Sequence, residues 1–244
     1  MTRVSLWFCC LLAWTPVMAN HVPVKGVSFA VSNSIPPYFY ADKKSGLQYD
    51  LLKAALATQN LTISQLYFSP NKRAARQVQT HNVDCLINAH PNIEGLFYTQ
   101  SLIEYQNSVF SLSENQFVIN SIADLLTISL NGFQNATKYL GQEFRDMSRN
   151  NRQYNESNSQ RSQVLMLFTG RVEAIVMERR IFEHYRKLLA HKIDTEQAIS
   201  EHSLFAPAQR KIACFNDTLR MQIDEGISAL KQSDPKMRPS NLNP

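Results

Sequence analysis

Residues 26–31 (Gly-Val-Ser-Phe-Ala-Val), 47–56 (Leu-Gln-Tyr-Asp-Leu-Leu-Lys-Ala-Ala-Leu) and 61–68 (Leu-Thr-Ile-Ser-Gln-Leu-Tyr-Phe) decide the fold class. In the first, Val27, Phe29 and Val31 alternate with Ser28, Ala30 and Ser32, the period of two of a strand. Ser34-Ile35-Pro36-Pro37 then breaks the strand. In the second, Leu47, Leu51, Leu52, Ala55 and Leu56 recur at helical spacing, and the third is strand-like again. A helical pattern over Lys72–His81 and an apolar strand over Val83–Ala89 follow. The order is β-α-β-α-β, which predicts a parallel sheet with helices on both faces.

Downstream, a long extended stretch starts near Ile103 (Ile-Glu-Tyr-Gln-Asn-Ser-Val-Phe-Ser-Leu), after which the alternation begins again. Ser121-Ile-Ala-Asp124 has the form that opens a helix. Thr127–Leu130 reads as a strand ending at Asn131-Gly132, Ala136–Ser148 as a helix, and Gln163–Phe168 as the apolar centre of another. Val172–Met177 is a strand, and Ile181, Phe182, Tyr185, Leu188 and Leu189 mark an amphipathic helix. Lys211–Phe215 is a late strand, and a last helix carries Leu219, Ile223, Ile227 and Leu230. Two β/α sets joined by a crossing segment, with a late strand and helix returning, predict a two-lobed α/β protein. Its cleft lies at the carboxyl ends of the strands. The expected division is residues 20–110 for the first part of lobe 1, 111–203 for lobe 2, and 204–244 for the return to lobe 1.

The chain opens with Met-Thr-Arg, an apolar run from Val4 to Trp14, and small residues at Val17 and Ala19. This is the layout of a secretory signal peptide over residues 1–19, too short to span a bilayer, and it predicts a periplasmic protein. Removal of that segment takes Cys9 and Cys10 and leaves Cys85 and Cys214. Those two are either one disulfide in an oxidising compartment or two buried thiols. The net charge is +5, but basic and acidic residues are interleaved and no basic run carries aromatics, so nucleic acid is not an expected partner. With 7 glycines, there is no Gly-rich phosphate loop, and His, Cys and carboxylates never cluster at metal-ligand spacing. No cofactor is expected.

Four stretches resemble the family 3 extracellular solute-binding proteins, the receptors of amino-acid ABC importers. They are Pro36-Pro37-Tyr38-Phe39-Tyr40 followed by Gly46 and Asp50; Arg73-Ala74 followed by Asn82-Val83-Asp84-Cys85-Leu86-Ile87; Ser121-Ile-Ala-Asp-Leu125; and Gly170-Arg-Val-Glu-Ala-Ile-Val176. The resemblance covers roughly residues 26–230. It implies the two-lobed periplasmic-binding-protein fold with two crossover strands, and a small polar, amino-acid-like ligand held between the lobes. It also implies a membrane partner, either an ABC importer permease or a sensor kinase, and a monomer without catalysis.

The resemblance also proposes a site. Family members clamp the ligand carboxylate with an Arg in a Thr-Pro-Glu-Arg stretch. Here that stretch is Pro91-Asn92-Ile93-Glu94-Gly95, with Gly95 where the Arg would stand. A glycine cannot replace a guanidinium fork, so Arg73, at the neighbouring helix start, is the alternative source. Glu178 takes the place of the family acid that pairs with the ligand amine. The helix start after Gly132 offers backbone N–H groups to an anion, with Gln134, Asn135 and Thr137 beside it; ordinary capping by Asn135 is the other reading. Tyr38 and Tyr40 are candidates for aromatic walls, and His90 and Asn92 for the strand end. Two other functions share this fold: an enzyme of dehydratase type with Glu178 as general acid, and an interaction module that has lost solute binding, its cleft filled by side chains such as Phe97 or Tyr105.

Overall fold

The computed structural model describes residues 23–31, 35–42 and 44–233. The expected signal segment over residues 1–19 and the polar tail after residue 233 lie outside the described residues. In the first half, β1 (Lys25–Val31), α1 (Leu47–Ala57), β2 (Leu61–Phe68), α2 (Asn71–Gln79), β3 (Cys85–Ile87) and β4 (Phe97–Tyr105) follow one another. The second half contains β5 (Asn107–Leu112), β6 (Leu130–Phe133), α3 (Ala136–Tyr139), α4 (Gln142–Asn150), β7 (Tyr154–Ser157), α5 (Gln160–Phe168), β8 (Ala174–Glu178), α6 (Arg179–Leu189) and β9 (Ile199–His202). The chain then returns through β10 (Ala208–Cys214) and α7 (Asp217–Ser233).

Two five-stranded sheets result, β2-β1-β3-β10-β4 and β7-β6-β8-β5-β9. Each has parallel pairs on one side (β1 with β2 and β3; β6 with β7 and β8) and antiparallel pairs on the other. The chain crosses between sheets twice: from β4 into β5 at Gln106, and from β9 into β10 through residues 203–207. The long extended stretch of the sequence is thus two strands in two different sheets. Buried Gln106 ties the crossings together, its Nε2 donating to the carbonyls of Asn107 (2.9 Å) and Phe205 (3.0 Å).

Alternation along the strands sorts side chains into layers. Val27, Phe29 and Val31 face the core shared with Leu52, Leu56, Ile223 and Ile227 of α1 and α7. Ala30, on the opposite face, packs with Ala74 and Val78 of α2. In the second sheet Val109, Ala174 and Val176 pack toward Phe144 of α4, whereas Phe110 stacks on Phe182 of α6 with ring centroids 4.1 Å apart. Both sheets are therefore covered on both faces, as the near-continuous apolar strands require. Burial of each large side chain contributes about 1.5–3 kcal/mol.

Several local expectations change. The single helix expected over 136–148 is two, because Gly141 takes φ 93° and ends one before the next begins. The strand expected at 127–130 starts only at Leu130, since Ala123–Thr127 is a 3₁₀ turn. Asp124 lies in this turn, and its carboxylate accepts from the amides of Asn120 and Ser121 and from the Ser121 hydroxyl. The Val83-Asp84 pair has a direct physical role: the Asp84 carboxylate accepts from the Ser28 amide (2.8 Å) and hydroxyl (2.6 Å), locking β3 beside β1. Cys85 and Cys214 are directly opposed on β3 and β10 and are joined as a disulfide.

Candidate functional site

The cavity between the lobes measures about 270 Å³. Its lobe 1 wall comprises Ile35, Asn71, Asn88, Tyr105 and Arg210. Phe133, Gln134, Tyr139, Ser157, Asn158 and Gln160 form the facing wall. The volume suits a small solute. A wider groove of about 730 Å³ runs along α6 past Pro37, Arg180, His184 and Lys187, but it is open to solvent and its Arg179 is already paired with Glu201 at 2.7 Å.

Tyr105 organises the lobe 1 wall. One face of its ring stacks on Tyr38 at 4.1 Å between centroids, and the Arg210 guanidinium lies over it at 4.3 Å. Its hydroxyl donates to Gln48 Oε1 (2.8 Å), and Asn88 Nδ2 donates to both Gln48 and Tyr105. Gln48 in turn donates to Asn88 Oδ1 at 2.8 Å, so the three side chains hold one another in place. Gly46 makes this possible: an added Cβ would collide with the Tyr38 carbonyl, and α1 could not then present Gln48 here. Burial pushes both phenols well above the usual tyrosine value, so Tyr105 stays neutral beside Arg210 and Tyr38 beside Arg180. Arg210 Nε is buried without a hydrogen-bond partner among the described residues. Among the described residues no carboxylate lies at ion-pair distance from Arg210.

The facing wall is arranged differently. The start of α3 is occupied by Glu156 from β7: its carboxylate accepts from the amides of Asn135 (2.6 Å) and Thr137 (3.0 Å), the Thr137 hydroxyl and the Tyr154 hydroxyl. Burial pushes this carboxyl up, but those four donors outweigh it and hold the group below the usual value. Tyr139 reaches across the cleft and stacks on His90 at 4.8 Å, with its hydroxyl 2.6 Å from His90 Nε2.

The residues singled out in the sequence divide accordingly. Gln134 lines the cavity. Asn135 and Thr137 do not offer their amides to it, because Glu156 has taken them, and Asn135 makes no side-chain cap. Tyr38 is wholly buried and backs the wall from behind Tyr105. Tyr40 lies edge-on to His184 at 6.0 Å, toward the open groove. Arg73 is exposed on α2, and Asn71 is the α2 residue at the cavity. His90 is held by Tyr98, whose hydroxyl donates to the His90 carbonyl and accepts from the Ile93 amide; exposed Asn92 turns that loop with φ 63°. Gly95 has φ 77°, which an Arg would adopt only under strain.

Glu178 is 3 % exposed and caps α6, its Oε2 accepting from the Ile181 amide at 2.9 Å. Its Oε1 is buried with no hydrogen bond from the described residues. It is not among the residues lining the cavity. Burial raises its carboxyl above the usual value, opposed by the Ile181 amide, the Tyr38 hydroxyl and Arg180. Sequence reasoning missed Arg210, Tyr139, Asn88 and Glu156.

The architecture defines a two-lobed α/β protein of the periplasmic-binding-protein type, with a solute-sized cavity between lobes joined by two crossings. Comparison with solved structures bears this out at the level of the fold. A histidine kinase sensor domain similar to periplasmic binding proteins matches with a TM-score of 0.69 at 12% identity, over 89% of this chain and 96% of that one. The GluR0 ligand-binding core in complex with L-glutamate matches with a TM-score of 0.67 at 16% identity, over 85% and 93%. An ancestral arginine-binding protein bound to glutamine gives 0.63 at 16%, over 89% and 96%. No family model and no curated protein matches the sequence. None of the described helices is long and apolar enough to cross a membrane.

Proposed function

We propose that this protein is a periplasmic receptor for a small polar solute, which it captures between its lobes and presents to a membrane partner, either an importer permease or a sensor kinase. The observation that carries the proposal is the cavity of about 270 Å³ with one wall from each lobe. A solute touching both walls favours the closed arrangement, and rotation about Gln106 and residues 203–207 would open it. The structures of similar fold include glutamate- and glutamine-bound proteins and a kinase sensor domain. This reading invokes a monomer and no catalysis; Glu178, buried behind Tyr38, is a poor general acid for a solute in the cavity.

A thermal-shift screen of amino acids, organic acids, amides and polyamines tests it. A solute at 100 times its Kd should add about 2.7 kcal/mol of stability. X-ray scattering on any binder should show a compaction. If no solute class moves the melting temperature, the receptor reading fails. The interaction-module reading would then gain, favoured by the internal carboxylate that already fills the α3 start.

A further inference from the structure

We infer that the cleft is built for a compact anion that carries no amine, a small carboxylate with an uncharged polar body, and that Arg210 on the return strand is its anchor. This rests on the receptor reading and names the ligand class of that same cavity.

Three observations carry the inference. Arg210 is the one charged side chain among the described residues that line the cavity. It has no carboxylate at ion-pair distance among the described residues, and its Nε is buried without an acceptor. Arg210 is half-buried, and a partly desolvated guanidinium with a buried, unpartnered N–H is unfavourable, a cost that an incoming carboxylate would lower. Arg210 is also held in position: its guanidinium rests on Tyr105, whose own orientation is fixed by Gln48 and Asn88. A guanidinium held by its face keeps its in-plane N–H groups for an oxyanion.

The rest of the lining argues against an ammonium. Glu178, the acid at the end of β8, is turned into the α6 cap and lies outside the cavity lining. Glu156 is spent on the α3 start. What remains around the cavity is amide and hydroxyl, with Ile35 and Phe133 as apolar patches. Such groups bind a neutral polar body, whereas a zwitterion would bring its amine into the cleft with no carboxylate to receive it. Positive charge on one wall only also predicts attraction of anions from solution.

Calorimetry on the full protein with matched probes decides the matter: propionate against alanine, succinate against aspartate, glutarate against glutamate, with succinamide and putrescine as neutral and cationic controls. The amine-free carboxylate of a pair should bind at least about 10-fold more tightly than its amino acid. Arg210→Gln should weaken that binding about 100-fold, with Arg210→Lys between the two. If an amino acid or putrescine is the better binder, or if Arg210→Gln leaves carboxylate affinity unchanged, the anion assignment is overturned while the receptor reading stands. If no probe of any class binds, both fall. Should Arg210→Gln not fold, the ranking of probes on the unmodified protein still decides.

Discussion

The two walls of the cleft solve the same electrostatic problem in opposite ways. On lobe 2 a backbone site that could take an anion is filled by the protein's own carboxylate, Glu156, with four donors around it. On lobe 1 a guanidinium is stacked and, among the described residues, left without an ionic partner. The difference teaches where recognition can still occur. A helix start with an internal anion is structure, whereas a rigidly held cation with no carboxylate at ion-pair distance among the described residues is where the proposed solute would be anchored. The resemblance suggested two anion contacts: Arg73, which is exposed on α2 and does not line the cavity, and the helix start after Gly132, where Glu156 already accepts from the amides.

The strongest test of this contrast removes what holds the lobe 1 wall in register. Replacing both Cys85 and Cys214 with Ala opens a loop with a sequence separation of 129, and unfolding in denaturant should show a loss of about 4–5 kcal/mol. Unchanged stability would mean that the pairing of β10 with β3 and β4 holds the return strand without the cross-link. On the other wall, Glu156→Gln should cost about 1 kcal/mol, reduced by the group's exposure. Because the folded carboxyl sits below its usual value, its contribution is present above the ordinary carboxylate range and disappears as pH falls through the lowered value. The variant should therefore approach the parent in acid.

Glu178 has the reverse sign. Its folded value is raised by burial, so stability declines as pH climbs from the ordinary value of 4.5 to the raised one. Glu178→Gln should lack that decline, and identical pH profiles for parent and variant would show that the buried carboxyl is not strained. The smallest effect belongs to the contact between the walls. Tyr139→Phe keeps the ring on His90 but loses the hydroxyl contact, and should shift the lobes toward opening by less than about 1 kcal/mol, visible as a larger radius in scattering.

Much of the fold was legible because its strands and helices carry clear periods. The β-α-β-α-β reading over residues 26–90 follows from side chains that the core does bury, such as Phe29, Leu52 and Ile87. The four-residue strands β7 and β9 are too short to show a period. Gly141 was visible within the helical pattern, but only its φ shows that the helix stops there. Arg210 was hidden by the polar run Gln209-Arg210-Lys211, which made the return strand seem to begin at Lys211. The signal was the alternation Ala208, Arg210, Ile212, extended backward from the apolar end. Glu178 was legible as a strand-end acid, but its use as the α6 cap depends on the Ile181 amide that the fold places over it.

The strand order has a consequence for how the molecule is made. β10 lies between β3 and β4, and β4 has no other strand beside it. Every residue of lobe 2 leaves the ribosome before β10 does, so a nascent chain ending ahead of Ala208 carries an unpaired, hydrogen-bond-hungry β4 alongside an already complete second sheet. The lobe whose synthesis starts first is therefore the last to be finished, and the strand that finishes it is the one that delivers Arg210 to the cleft.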